Sequence, residues 1–297
     1  MRGGVCAVVA GLVLGLVGPA AGAGQQPADV LLVHGYGDAR AGQDCNGQVW
    51  RDALEHSGRA RQAITTIGYY AGDRRAVGHG PGCDAVIGDG AASNARPIED
   101  IARDLARYID RHHGSRPVNV VGHSMGGLIA RVALLGSARG WPGFPPRPAV
   151  DNVVALGAPY RGLGPAVLDA HHDPQWDQMK PGSAFLQRMH AEGELGQRWA
   201  AGTDWTLVGS EEDWTVPADS ALDGEARADQ KYRYRVDDAS GRDRYEVHHY
   251  ALRTHCSGEY HLRSWRPGGP VRETSRGPSP VRVAFQAAAI TGDGLPK

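Results

Sequence analysis

Gly122-His123-Ser124-Met125-Gly126-Gly127 constrains this chain more than any other stretch of its sequence. The β-branched run Val118-Asn119-Val120-Val121 leads straight into it, and Met125 to Leu135 reads as a helix. A strand and a helix share so short a junction only through a tight turn with strained backbone angles. Side chains two positions before and two after the serine would then collide with neighbouring elements, so Gly122 and Gly126 are the residues the turn needs. Such a G-x-S-x-G elbow lifts the Ser124 hydroxyl clear of the sheet. It also leaves the Met125 N–H unpaired at a helix N-terminus, ready to stabilise a developing oxyanion. A Gly/Ser-rich turn joining a strand to a helix by chance is the bland alternative. The flanking strand and helix, together with a second motif upstream, favour the chemical one.

The rest of the chain alternates strands and helices. Asp29 to His34 is a continuous apolar run of the kind buried on both faces of a parallel sheet, and Ile64 to Tyr70 is a second strand. Ile98, Ile101, Ala102, Leu105 and Ile109 line one helical face behind Pro97, and Gly114 and Pro117 end that helix. Val150–Leu156, Thr206–Gly209 and Tyr232–Val236 are further strands, the last of them taken as the sheet's final one, and a closing helix is expected over Val281–Ile290. Residues 72–97 are rich in Gly, Asp and Asn and read as a long loop, and 141–148 as a Pro-rich one. The predicted fold class is α/β: a mostly parallel central sheet covered by helices on both faces, with a small helical insertion at 160–201 that could cap the sheet edge.

Arg2 followed by the apolar stretch Val5 to Val17 and by Ala21-Gly22-Ala23 reads as a signal peptide cleaved after Ala23, with 24–297 as a single exported domain. The apolar run is too short to span a bilayer, and no later one is long enough. Lys and Arg total 32 against 33 Asp and Glu, so charge offers no argument for nucleic acid or an anionic membrane as a partner. Of the cysteines remaining after cleavage, Cys45 and Cys83 are expected to pair, leaving Cys256 free. None of them has the close spacing of a zinc site, and no P-loop lysine or completed G-x-G-x-x-G follows Gly35, so neither a metal nor a nucleotide cofactor is expected.

The second motif is His34-Gly35-Tyr36-Gly37 at the end of the first buried strand. With both motifs the chain resembles the α/β-hydrolase superfamily, and within it secreted bacterial serine esterases and triacylglycerol lipases. That resemblance, running from about Val30 to the histidines near 248, implies a small-molecule ester or lipid substrate. It makes the Tyr36 N–H the second oxyanion donor. A serine hydroxyl needs a base, and the base needs an acid to fix its tautomer, in the chain order Ser, acid, His. The resemblance assigns the acid to Asp213, a few residues after Gly209 and shortly before Val216-Pro217; Glu211 and Glu212 are then solvated loop charges. It places the base in the loop after the last strand, where His248 is set slightly ahead of His249. His255 and His261 become surface or supporting residues, and His34 and His123 supports of the oxyanion loop and elbow.

Asp169, His171, His172, Asp173 and Asp177 have metal-site chemistry but no defined spacing, and a polar loop is expected there. Tyr160 in Ala158-Pro159-Tyr160-Arg161-Gly162 stands where related lipases often carry histidine. Trp50, Trp141, Trp176, Trp205 and Trp214 could line a groove, though packing is the default role. The expected activity is carboxylic ester hydrolysis through an acyl-enzyme. The rivals are acyl transfer to another alcohol by the same triad, and a catalytically silent binding protein on the same scaffold.

Overall fold

The computed structural model describes residues 28–74, 82–89, 93–236 and 247–289. The proposed signal peptide lies outside them. In chain order the elements are β1 (Asp29–Val33), α1 (Arg51–His56), β2 (Ile64–Gly68), β3 (Ala85–Val86), α2 (Ile98–His113), β4 (Val118–His123), α3 (Met125–Arg139) and β5 (Val150–Leu156). Then come α4 (Pro174–Gln178), α5 (Ala184–Glu192), β6 (Asp204–Ser210), α6 (Ala218–Ala221), β7 (Gln230–Tyr234), α7 (Ala251–Thr254), β8 (Tyr260–Trp265), β9 (Arg272–Gly277) and α8 (Pro280–Ala287).

The strands form one sheet in the order β3-β2-β1-β4-β5-β6-β7-β8-β9. β3 to β7 pair in parallel, while β7–β8 and β8–β9 are antiparallel. β7 is therefore not the last strand, as the sequence suggested. Tyr260 to Trp265 alternate buried and half-buried positions, and β9 is polar and almost wholly exposed, so this hairpin extends the sheet without a second buried face.

Alternation along the central strands divides the core. Leu31 and Val33 face the layer of α2 and α3, while Val30 and Leu32 face that of α1, α7 and α8. Each fully buried side chain of this kind stabilises the fold by roughly 1.5–3 kcal/mol. Such burial on both faces explains why the central strands are continuous apolar runs.

The strand order reverses direction between β1 and β4. Loops leaving the carboxyl ends of those two neighbours run to opposite faces of the sheet, and the crevice between them is where open α/β sheets take ligands. His34-Gly35-Tyr36 leaves β1 at this point, and Ser124 leaves β4. The loop expected over 72–97 contains β3 among its described residues. Cys45 and Cys83 are joined by a disulfide, as expected. Cys256 is also disulfide-bonded in the full-length chain, where its expected free state does not hold. No helix among the described residues is long and apolar enough to cross a membrane.

Candidate active site

Ser124 has φ 56° and ψ −128°, a conformation that non-glycine residues rarely hold. It persists because both sides are fixed: Ser124 N–H donates to Leu156 O at 2.8 Å, and Ser124 O accepts from Gly127 N–H at 2.9 Å. The glycines are steric necessities. A Cβ on Gly122 would sit 2.6 Å from the Gly126 carbonyl, and one on Gly126 would sit 2.2 Å from Val33 O. Gly35 is pressed against Ser124 in the same way, its hypothetical Cβ falling 2.7 Å from Ser124 Cβ. The Gly35–Tyr36 peptide thus runs beside Ser124. Met125 begins α3, so its N–H has no acceptor within the helix.

Asp213 follows β6 in a tight turn. One carboxylate oxygen accepts from Val216 N–H at 2.8 Å and Thr215 N–H at 3.0 Å; the other meets His249 Nδ1 at 2.7 Å. An Nδ1–H directed at a carboxylate leaves Nε2 as the ring's proton acceptor. The structure brings His249, and not His248, to Asp213. Burial alternates here: Val247, His249 and Ala251 turn inward while His248 and Tyr250 are exposed, so the residue directly after the buried valine points to solvent. Ser124 and His249 line one cleft of about 240 Å³.

Several supports of this constellation escaped the sequence reading. Gly157, at the end of β5 with φ 60°, leaves room for the Asp213–His249 pair: a Cβ there would lie 3.2 Å from Asp213 Oδ2 and 3.3 Å from His249 Nδ1. Glu212 is not simply a solvated charge, because its Oε2 accepts from Val247 N–H at 2.7 Å and anchors the histidine loop. Glu211 pairs with Arg235 instead. His123 is fully buried, and burial holds its imidazole well below the ordinary histidine range, with the neighbouring His249 adding to the effect. The neutral ring donates from Nε2 to His249 O at 2.9 Å. It therefore supports the loop that carries His249 as well as the elbow.

The His34–Gly35–Tyr36 loop rests on Asp73. His34 Nε2 lies 3.0 Å from Asp73 Oδ2, and the same carboxylate accepts from the N–H groups of Gln43, Tyr69 and Tyr70 at 2.7–2.8 Å. Burial alone would raise the Asp73 carboxyl; His34 and these donors together bring it below the usual carboxylate range. The Tyr69 hydroxyl donates to Gly35 O at 2.6 Å. Only the pattern of tertiary contacts reveals these roles, since no local motif marks Asp73.

The stretch between β5 and β6 contributes Leu163, Val167, Trp176 and Met179 to the cleft. Tyr36 is tied to it: its hydroxyl donates to Asp173 Oδ2 at 2.5 Å, and burial followed by that bond raises the phenol far above its ordinary value. Asp173 also caps α4 through Trp176 N–H. Of the other acidic and histidine side chains in this loop, Asp177 pairs with Lys180, and His171 packs on Trp176 and Tyr36. Tyr160 is buried beneath the Arg131 guanidinium, which pairs with buried Asp223. Trp50 and Trp205 are core, Trp141 packs against it, and Trp214 is 78% exposed. His255 is half-buried near His248, and His261 pairs with Glu273 on the β8–β9 hairpin. Among the described residues, the ligand-type atoms of His34, Cys45 and Cys83 cluster within 4.8 Å of one another, but both sulfurs are spent in the bridge.

A reversing parallel sheet with a strained serine elbow at its switch point defines a class of protein. Residues 30–182 match the family described as alpha/beta hydrolase fold, and the chain belongs to that family. No curated protein is recognisably similar to it in sequence. Among solved structures, phospholipase PlaB from Legionella pneumophila in complex with thio-NAD is similar at 13% identity and TM-score 0.41. That alignment covers 62% of this chain but only 38% of the phospholipase. Aspergillus fumigatus lipase B is similar at 18% identity, over 78% of this chain and 46% of that one, with TM-score 0.44. The esterase domain of a Rhodothermus marinus protein is similar at 19% identity, over 78% of this chain and 82% of its own, with TM-score 0.39.

Proposed function

We propose that this protein is an exported serine hydrolase of carboxylic esters, with Ser124 as nucleophile, His249 as base and Asp213 as the acid that orients it. The observation that carries the reading is the 2.7 Å contact between His249 Nδ1 and Asp213 in a cleft that Ser124 also lines. His249 Nε2 takes the Ser124 proton as Oγ attacks the ester carbonyl. The N–H groups of Tyr36 and Met125 receive the oxyanion, each worth roughly 3 kcal/mol of barrier. Collapse of the intermediate expels the alcohol, which takes its proton from the imidazolium. Water, activated by the same ring, then cleaves the acyl-enzyme. The Cys45–Cys83 bridge supports an oxidising compartment.

The test is labelling with a fluorophosphonate probe, beside turnover of p-nitrophenyl esters of increasing chain length. Stoichiometric labelling at Ser124, and loss of both labelling and turnover in folded Ser124→Ala, are expected. A folded protein that is unlabelled, or labelled at another residue, overturns the assignment.

A further inference from the structure

The cleft carries an unusual electrostatic balance. Among the described residues lining it there is no aspartate or glutamate, and the one permanent cation is Arg253. Arg253 belongs to α7, the helix that follows the base, and lies four residues beyond His249. Its Nη1 donates to Val49 O, and its guanidinium carbon stands 5.3 Å from the centre of the Tyr250 ring.

Elsewhere, buried or half-buried guanidinium groups are compensated. Arg131 pairs with Asp223 at 2.7 Å and Arg96 with Asp104 at 2.5 Å, while Arg59 spends two nitrogens on the carbonyls of Ala28 and Ala288. Arg253 has one carbonyl and one aromatic face, with no carboxylate at ion-pair distance among the described residues. Asp52, the acidic residue that acts on it from farther off, is paired with Arg51. Burial depresses the Arg253 guanidinium to about 10, which still leaves it charged at neutral pH. A desolvated cation with so little compensation is costly, and an anion entering the cleft removes that cost.

We propose that Arg253 is a specificity residue for esters carrying a carboxylate or phosphate on their alcohol portion. The proposal rests on the Ser124–His249 reading above. The alcohol side is assigned because the leaving oxygen takes its proton from His249, so the alcohol portion lies toward the loop and helix that carry both residues. The apolar side chains Leu163, Val167, Trp176 and Met179 come from a different stretch and suit an acyl chain.

Two matched substrate pairs test this with the full-length protein. In 4-acetoxybenzoate and 4-acetoxybenzamide the charge differs on the alcohol side; in p-nitrophenyl hemisuccinate and p-nitrophenyl succinamate it differs on the acyl side. The wild type should prefer the first anionic ester over its neutral partner by about tenfold in kcat/KM, mainly through KM, and show no such preference in the second pair. Arg253→Gln should bring that ratio close to one, and Arg253→Lys should retain part of it. A merely structural link from Arg253 to Val49 would slow both members of a pair alike. The products give a measurement independent of the variants' folding: 4-hydroxybenzoate should inhibit the wild type more strongly than 4-hydroxybenzamide. Equal inhibition, no preference in the first pair, a preference confined to the second, or a ratio unchanged in folded Arg253→Gln overturns the proposal. Ser124 labelling with turnover of the neutral esters but no charge preference removes the Arg253 role alone; an unlabelled, inactive wild type removes the hydrolase reading with it.

Discussion

Replacing Gly126 by alanine should lower both activity and stability. The added Cβ would stand 2.2 Å from Val33 O and 2.6 Å from His34 O, whereas ordinary contact begins near 3.4 Å. The obstructing atoms are backbone, so no side chain can swing aside. Relief requires the start of α3 to move away from the end of β1 by on the order of 1 Å, and those two segments carry Ser124 and Met125 on one side and Tyr36 on the other. A displacement of that size in a reacting constellation costs about 10²-fold in rate, equivalent to about 2.7 kcal/mol of barrier. The stability cost of overpacking is about 1–3 kcal/mol, or a fall in Tm of roughly 2–5 °C for a chain of this length. The assay is kcat for a p-nitrophenyl ester, normalised to active-site concentration by burst titration, beside a thermal melt followed by circular dichroism. Gly140→Ala is the contrast: φ is 64° but nothing lies within 4 Å, so stability should fall by about 1 kcal/mol with kcat preserved. A folded Gly126→Ala enzyme with kcat within threefold of the wild type would refute the steric argument.

His249→Asn should lower kcat by about 10⁴-fold or more while His248→Asn stays within about twofold, and steady-state kinetics of the two folded variants decides between them. Glu212→Gln weakens the charge-assisted bond to Val247 N–H, so kcat should drop severalfold with KM little changed; an unaltered kcat would remove the anchoring role. Stability should decline as pH falls below about 6.5. Folded His123 is held neutral by burial while the unfolded chain takes up a proton there, so the unfolded state binds more protons and each pH unit costs up to about 1.4 kcal/mol for this group. Denaturant titrations from pH 7 to 5 measure the slope, and His123→Gln should flatten it; an identical slope in that variant would show that other groups govern acid sensitivity.

The parts of the fold legible in the sequence were those whose signal is local. β1, β4 and β5 are buried on both faces and so appear as unbroken apolar runs, and the elbow announces itself because sterics demand glycine at 122 and 126. The β8–β9 hairpin was missed because β9, Arg-Glu-Thr-Ser-Arg-Gly, is nearly all exposed and carries no apolar period. The choice between His248 and His249 turned on which phase of a two-residue alternation faces inward, and adjacency to Val247 pointed to the neighbour that faces away from Asp213. Asp73, Gly157 and Glu212 matter through partners brought near by tertiary folding, such as His34, 39 residues before Asp73. A single sequence holds no local mark of such distant partners.

The reversal of strand order between β1 and β4 has a bearing on biogenesis. Tyr36, Ser124 and His249 come from segments far apart along the polypeptide, and their meeting requires both the central strands and the stretch after β7 to be in place. Long-range pairing of this sort is slow to form. On the proposed hydrolase reading, nascent or partly refolded chains should consequently be inert toward esters, and regain of turnover during refolding should follow completion of the sheet rather than early helix formation.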